Sequence, residues 1–163
     1  MDANTSSSIP GLAAWILGTS VAAVSGAVTA KAAKEFYGQL NKPSWAPPPW
    51  LFGPAWTVLY ITMGVAAWRI WRVHGFGGAR VALALYAVQL MLNAAWSWFF
   101  FVKRSGAAAT VEVAMLWTAV ASTLVAFWSY DQTAGLLFVP YLMWVSFAAA
   151  LTMSVWRRNP TLL

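Results

Sequence analysis

Five stretches of the chain carry no charged residue: 12–30, 43–68, 81–102, 113–130 and 132–156, which are 19, 26, 22, 18 and 25 residues long. An α-helix rises about 1.5 Å per residue, so about 20 residues cross a hydrocarbon core about 30 Å thick. These lengths predict an all-α integral membrane protein, a bundle of five transmembrane helices. Transmembrane strands would alternate polar and apolar residues in segments of about ten, and the sequence has no such alternation. Pro43, Pro47, Pro48 and Pro49 fill the start of the second stretch. Proline lacks a backbone donor and clashes with the preceding turn, so that helix is expected to begin at Pro49. The expected helices are 12–30, 49–70, 80–102, 107–129 and 134–156, in one domain over 1–163. The connection 31–48 carries Phe36, Tyr37, Leu40 and Trp45 and is expected to fold over the bundle as a lid.

Composition narrows the chemistry. Of 163 residues, 61% are hydrophobic and 9% charged, against about 25% charged in a soluble domain. There is no cysteine, one histidine and four acids, which excludes a disulfide framework and leaves little for metal ligation or acid–base catalysis. With helices alternating in direction, Lys31, Lys34, Lys42, Lys103, Arg104, Arg157 and Arg158 share one side, and Arg69, Arg72 and Arg80 the other. The excess of basic residues predicts that the first side is cytoplasmic, with the N-terminus outside and the C-terminus inside. This bias and contact with the lipid bilayer account for the net charge of +6, without nucleic acid. Residues 1–10 hold no Lys or Arg, so the first stretch is expected to stay as a helix rather than leave as a signal peptide.

Several helix faces stand out. Ala14, Gly18, Ala22, Gly26 and Ala30 form a small-residue stripe suited to close helix approach, within the chain or against a second copy. Tyr86, Gln89, Asn93 and Trp96 share one face of helix three, and an amide near mid-membrane wants a partner that hydrocarbon does not supply. That face serves equally for helix–helix hydrogen bonding or for orienting a ligand. Tyr141, Trp144, Ala148 and Leu151 form a stripe on helix five, where Pro140 predicts a kink, and Trp56, Tyr60 and Met63 form one on helix two. Among 12 tryptophans, those near helix ends fit membrane interfaces, whereas Trp56, Trp96, Trp117 and Trp144 lie deeper. Glu112 is expected as an interfacial carboxylate at the start of helix four, and His74 as a solvated loop residue.

These motifs resemble the TspO/MBR family: YGQLNKPSWAPP at 37–48, WTVLYITMG at 56–64, YAVQLMLNAAWSWFF at 86–100 and PYLMWVSFA at 140–148. The resemblance implies five membrane helices, a homodimer, and a pocket beneath the first connection. It implies porphyrins such as protoporphyrin IX, or haem-type tetrapyrroles, as ligands, and isoquinoline carboxamide drugs. The matching binding positions are Tyr37, Trp56, Gln89, Asn93, Trp144 and Ala148; no cofactor or metal is required. Trp56 and Trp144 would stack on the macrocycle, and Lys31, Lys34 or Lys42 would meet its propionates. In animal members an Asn and a Tyr near the end of helix five belong to a sterol motif. Here 151–157 reads LTMSVWR, with Thr152 and no tyrosine, which counts against cholesterol. The resemblance points to a membrane receptor or sensor. Its alternatives are a porphyrin or sterol transporter and a light- and oxygen-dependent porphyrin-degrading enzyme. Bacterial members occur in the outer membrane as well as elsewhere.

Overall fold

The computed structural model describes residues 8–163, apart from the side chains of 8, 23–32 and 34. Asp2 lies outside the described residues, as do the side chains of Lys31, Lys34 and Ala30 and the surroundings of Gly26. Five α-helices follow in order: α1 Ser8–Gln39, α2 Phe52–Gly78, α3 Arg80–Ser97, α4 Gly106–Tyr130 and α5 Gln132–Arg158. A 3-10 turn at Pro49–Leu51 leads into α2, and a π turn at Trp98–Val102 ends α3. The described residues include no strand.

Among the described residues, four segments are long and apolar enough to cross a membrane: Pro49–Gly78, Arg80–Val102, Gly106–Tyr130 and Gln132–Arg158. In α1 the apolar stretch Ile9–Ala22 is shorter. At most about a third of each span's apolar window is buried within the chain. The outward faces carry Val58, Ile61, Val88, Met91, Val111, Met115 and Met143. Apolar surface this extensive needs a medium other than water. The chain is an integral membrane protein.

Two helices outrun their uncharged stretches. α1 continues to Gln39, so the first connection is 40–48 rather than 31–48. Residues 31–37 (KAAKEFY) contain no proline or glycine, and charge marks the edge of an apolar medium rather than the end of a helix. α2 passes residue 70 and reaches Gly78 across a break at Gly75, whose φ of +62° suits glycine alone. His74 therefore sits in a helix, its ring 4.9 Å from that of Tyr130. α5 continues through Pro140.

The helices close a ring in the order α1, α2, α5, α4, α3 and back to α1. Met63, Ile70, Tyr86, Val120, Phe127, Phe138 and Tyr141 fill its interior. α1 and α2 meet closely at Gly64, where an added Cβ would lie 2.8 Å from the Ile16 Cα. The small residue that admits this approach is on α2. In the α1 stripe, Ala14 and Gly18 are exposed, because α1 turns Trp15, Ile16 and Thr19 inward instead. Between α4 and α5, Asp131 accepts hydrogen bonds from Thr133 N (2.8 Å) and Ala134 N (3.3 Å), capping α5. Arg69 Nε lies 2.7 Å from Asp131 Oδ2. That hydrogen bond holds the Asp131 carboxyl below its usual range.

Candidate ligand site at the loop end of the bundle

The connection 40–48 is fastened at both sides. Lys42 Nζ donates to the carbonyls of Tyr37 (2.7 Å) and Leu40 (3.1 Å), satisfying acceptors that the end of α1 leaves free. The same ammonium lies 4.8 Å from the Tyr37 ring centre. Asn159, just beyond α5, accepts from Asn41 N (2.8 Å) and donates to Asn41 O (3.0 Å). Trp45 meets Phe147 of α5 edge to face at 5.7 Å.

Beneath this connection the aromatic rings form a chain. Tyr37 contacts Phe52 at 6.2 Å, Phe52 contacts Trp144 at 5.9 Å, and Trp144 contacts Trp56 at 6.3 Å, each edge to face. Trp56 stacks on Tyr60 at 5.4 Å and meets the edge of Tyr141 at 6.1 Å. These arrangements suit ring quadrupoles and hold two half-buried indoles together at the loop end.

Deeper in, the amide face of α3 meets α2 and α5. The Tyr60 hydroxyl donates to Asn93 Oδ1 (2.7 Å), and Asn93 Nδ2 donates to the Tyr141 hydroxyl (3.1 Å). Both amide atoms of Asn93 are thus engaged in helix–helix hydrogen bonding. Gln89, on the same face and fully buried, differs: among the described residues its Nε2 reaches only the Met63 sulfur, at 3.9 Å, and its Oε1 has no partner. Of the six sequence-derived positions, Tyr37, Trp56, Trp144 and Asn93 are linked through Phe52, Tyr60 and Tyr141. Gln89 sits one turn from Asn93, and Ala148 is half-buried one turn beyond Trp144. A separate open groove lies between α1 and α3.

Tyr60 and Tyr141 complete the site as partners of Asn93, although the sequence reading placed them only on stripes. A membrane amide demands a donor and an acceptor, and a hydroxyl one turn from Trp56 and another one turn from Trp144 were available signals. The remaining deep tryptophans have other roles. Trp117 Nε1 donates to Ser146 Oγ (2.8 Å), joining α4 to α5, and Trp96 stacks on Phe100 at 5.3 Å. Glu112 does not stand in the first turn of α4, where the sequence expectation put it. α4 begins six residues earlier, at Gly106, and Glu112 is 1% exposed with neither carboxyl oxygen partnered.

Known proteins resemble this chain over most of its length. The chain is 41% identical over 152 residues to Protein CrtK of Rhodobacter capsulatus, covering 91% of this chain and 92% of that one. It is 45% identical over 125 residues to the tryptophan-rich sensory protein of Cereibacter sphaeroides, covering 77% of each. It is 43% identical over 126 residues to the translocator protein of Sus scrofa, covering 76% of this chain and 75% of that one. The sequence profile of the TspO/MBR family matches residues 13–157, and the chain belongs to that family.

Proposed function

We propose that the chain is a membrane receptor that binds a flat tetrapyrrole, such as protoporphyrin IX, between Trp56 on α2 and Trp144 on α5. The observation that carries this reading is the pairing of two half-buried indoles with a fully buried Gln89 Oε1 that has no partner among the described residues, on the adjoining amide face. An apolar, aromatic wall with one free polar atom suits a large ring whose edge carries a hydrogen-bond donor. The macrocycle enters by parting the indoles, which touch only edge to face. Tyr37 and Lys42 sit at the loop end, where Lys42 can meet a propionate.

α1 is the fifth span in this reading, and the connection 40–48 and the C-terminus lie on the cytoplasmic side. Lys42, Lys103, Arg104, Arg157 and Arg158 at that end support the orientation. The relatives' names divide between sensing and translocation, and ligand binding is the step that both need.

The test is a titration of protoporphyrin IX into the purified full chain in detergent, in the dark, followed by the Soret band. Saturable binding that a Trp56→Ala, Trp144→Ala double variant loses supports the site. Equal spectra for both proteins would reject it. The same titration under illumination measures any consumption of the pigment, and flux into liposomes measures transport.

A further inference from the structure

We propose that the groove between α1 and α3 seats an anionic phospholipid of the bilayer, with its phosphate on Arg80 and an acyl chain along the groove floor. The groove has a volume of about 630 Å³ and lies at the end opposite the connection 40–48, near the junction of α2 and α3. Trp15 and Phe76 form one wall, while Leu83, Ala87 and Leu90 line two turns of α3. Its volume falls in the range of about 300–1,000 Å³ typical of small-molecule sites. The groove shares no residue with the Trp56–Trp144 site, so the two proposals stand or fall separately.

The floor is made by small and internally satisfied groups. A Cβ added at Gly18 would meet nothing within 4 Å, so the groove is open where a side chain would otherwise stand. Thr19 donates to the Trp15 carbonyl (2.6 Å), which leaves the Tyr86 hydroxyl to donate to Thr19 Oγ1. With these two hydroxyls paired, the floor accepts hydrocarbon without an unmet donor.

Charge complementarity identifies the occupant. Arg80 is exposed at the groove mouth and has no hydrogen-bond, ion-pair or ring partner among the described residues. A guanidinium offers a planar fork that matches two phosphate oxygens. Arg80 also opens α3, whose N-cap, Ala79, makes no side-chain cap bond. A second copy of the chain fits less well. A two-fold axis along the membrane normal through this face would bring two Arg80 side chains to the same depth and toward each other.

The experiment is native mass spectrometry of the full chain released from micelles holding equal dioleoyl-phosphatidylglycerol and dioleoyl-phosphatidylcholine. The native chain is expected to retain the anionic lipid roughly fivefold more than the zwitterionic one, the factor for one basic group at a membrane surface. Arg80→Gln brings the ratio to about one, and Gly18→Leu, which fills the groove, lowers retention of both lipids. Equal retention by the native chain overturns the proposal, as does an Arg80→Gln ratio like that of the native chain. A Gly18→Leu variant that changes the dimer fraction and leaves lipid retention intact also overturns it, and assigns the face to a second copy.

Discussion

Asn93 and Glu112 are buried on neighbouring helices of one bundle, 5% and 1% exposed, and their surroundings are opposite. Asn93 uses both amide atoms, accepting from Tyr60 of α2 and donating to Tyr141 of α5, so one side chain joins three helices. Neither oxygen of Glu112 has a partner among the described residues. Where water is absent, an engaged polar group ties elements together, while an idle one only carries its desolvation cost. Polarity inside a membrane bundle therefore stabilises through its partners, and the two residues should respond to substitution with opposite sign.

The largest effect is expected at Asn93. Asn93→Leu leaves two buried tyrosine hydroxyls without their partner and should cost about 2 kcal/mol, at the lower end of aqueous values because interhelical bonds in bilayers are weak. Denaturant unfolding in detergent measures it, and a loss below about 0.5 kcal/mol would erase the contrast. Glu112→Met is expected to stabilise by about 1 kcal/mol, since an unpartnered buried acid is replaced by a side chain of similar length. A lower melting temperature for Glu112→Met would show that the carboxyl is engaged after all. Tyr141→Phe removes one of the two Asn93 bonds and should cost about 0.6–1.7 kcal/mol. A double-mutant cycle with Asn93→Leu should show that the two losses do not add.

The smallest effect concerns a polar pair near the surface. Arg69 holds the Asp131 carboxyl below its usual value of 3.8, so this contribution is full well above pH 3.8. It is lost as pH falls through the lowered value, because the unfolded carboxyl takes up its proton first. Arg69→Leu should flatten the acid limb of a stability–pH curve only slightly, both side chains being partly exposed (33% and 22%). A large change would place this pair with Asn93.

The helical spans were legible because absence of charge over about 20 residues has few other meanings. Their ends were less so, since 31–37 and 71–78 are polar or glycine-bearing yet still helical. The amide face of α3 followed from spacing, whereas depth marked Trp56 and Trp144 only together with Trp96 and Trp117, and the family resemblance alone set those two apart. What faces Asn93 depends on the register of α2 and α5 against α3, which no single-helix period contains. Glu112 is different, because its place on the helix period is visible in the sequence. Ala109, Val113, Leu116, Val120 and Phe127 mark the buried stripe of α4, and Glu112 lies on it. At that position charge and periodicity point in opposite directions, and burial follows the periodicity. The pairing of Arg69 with Asp131 is equally invisible in one dimension, the two standing 62 positions apart.

The double hydrogen bond between Asn41 and Asn159 joins positions 118 apart and closes most of the chain into a non-covalent loop. The first connection cannot lift from the bundle unless the last few residues release it. A fusion partner or affinity tag grafted directly after Arg158 would therefore act at the mouth of the candidate site, though it is attached at the far end of the sequence.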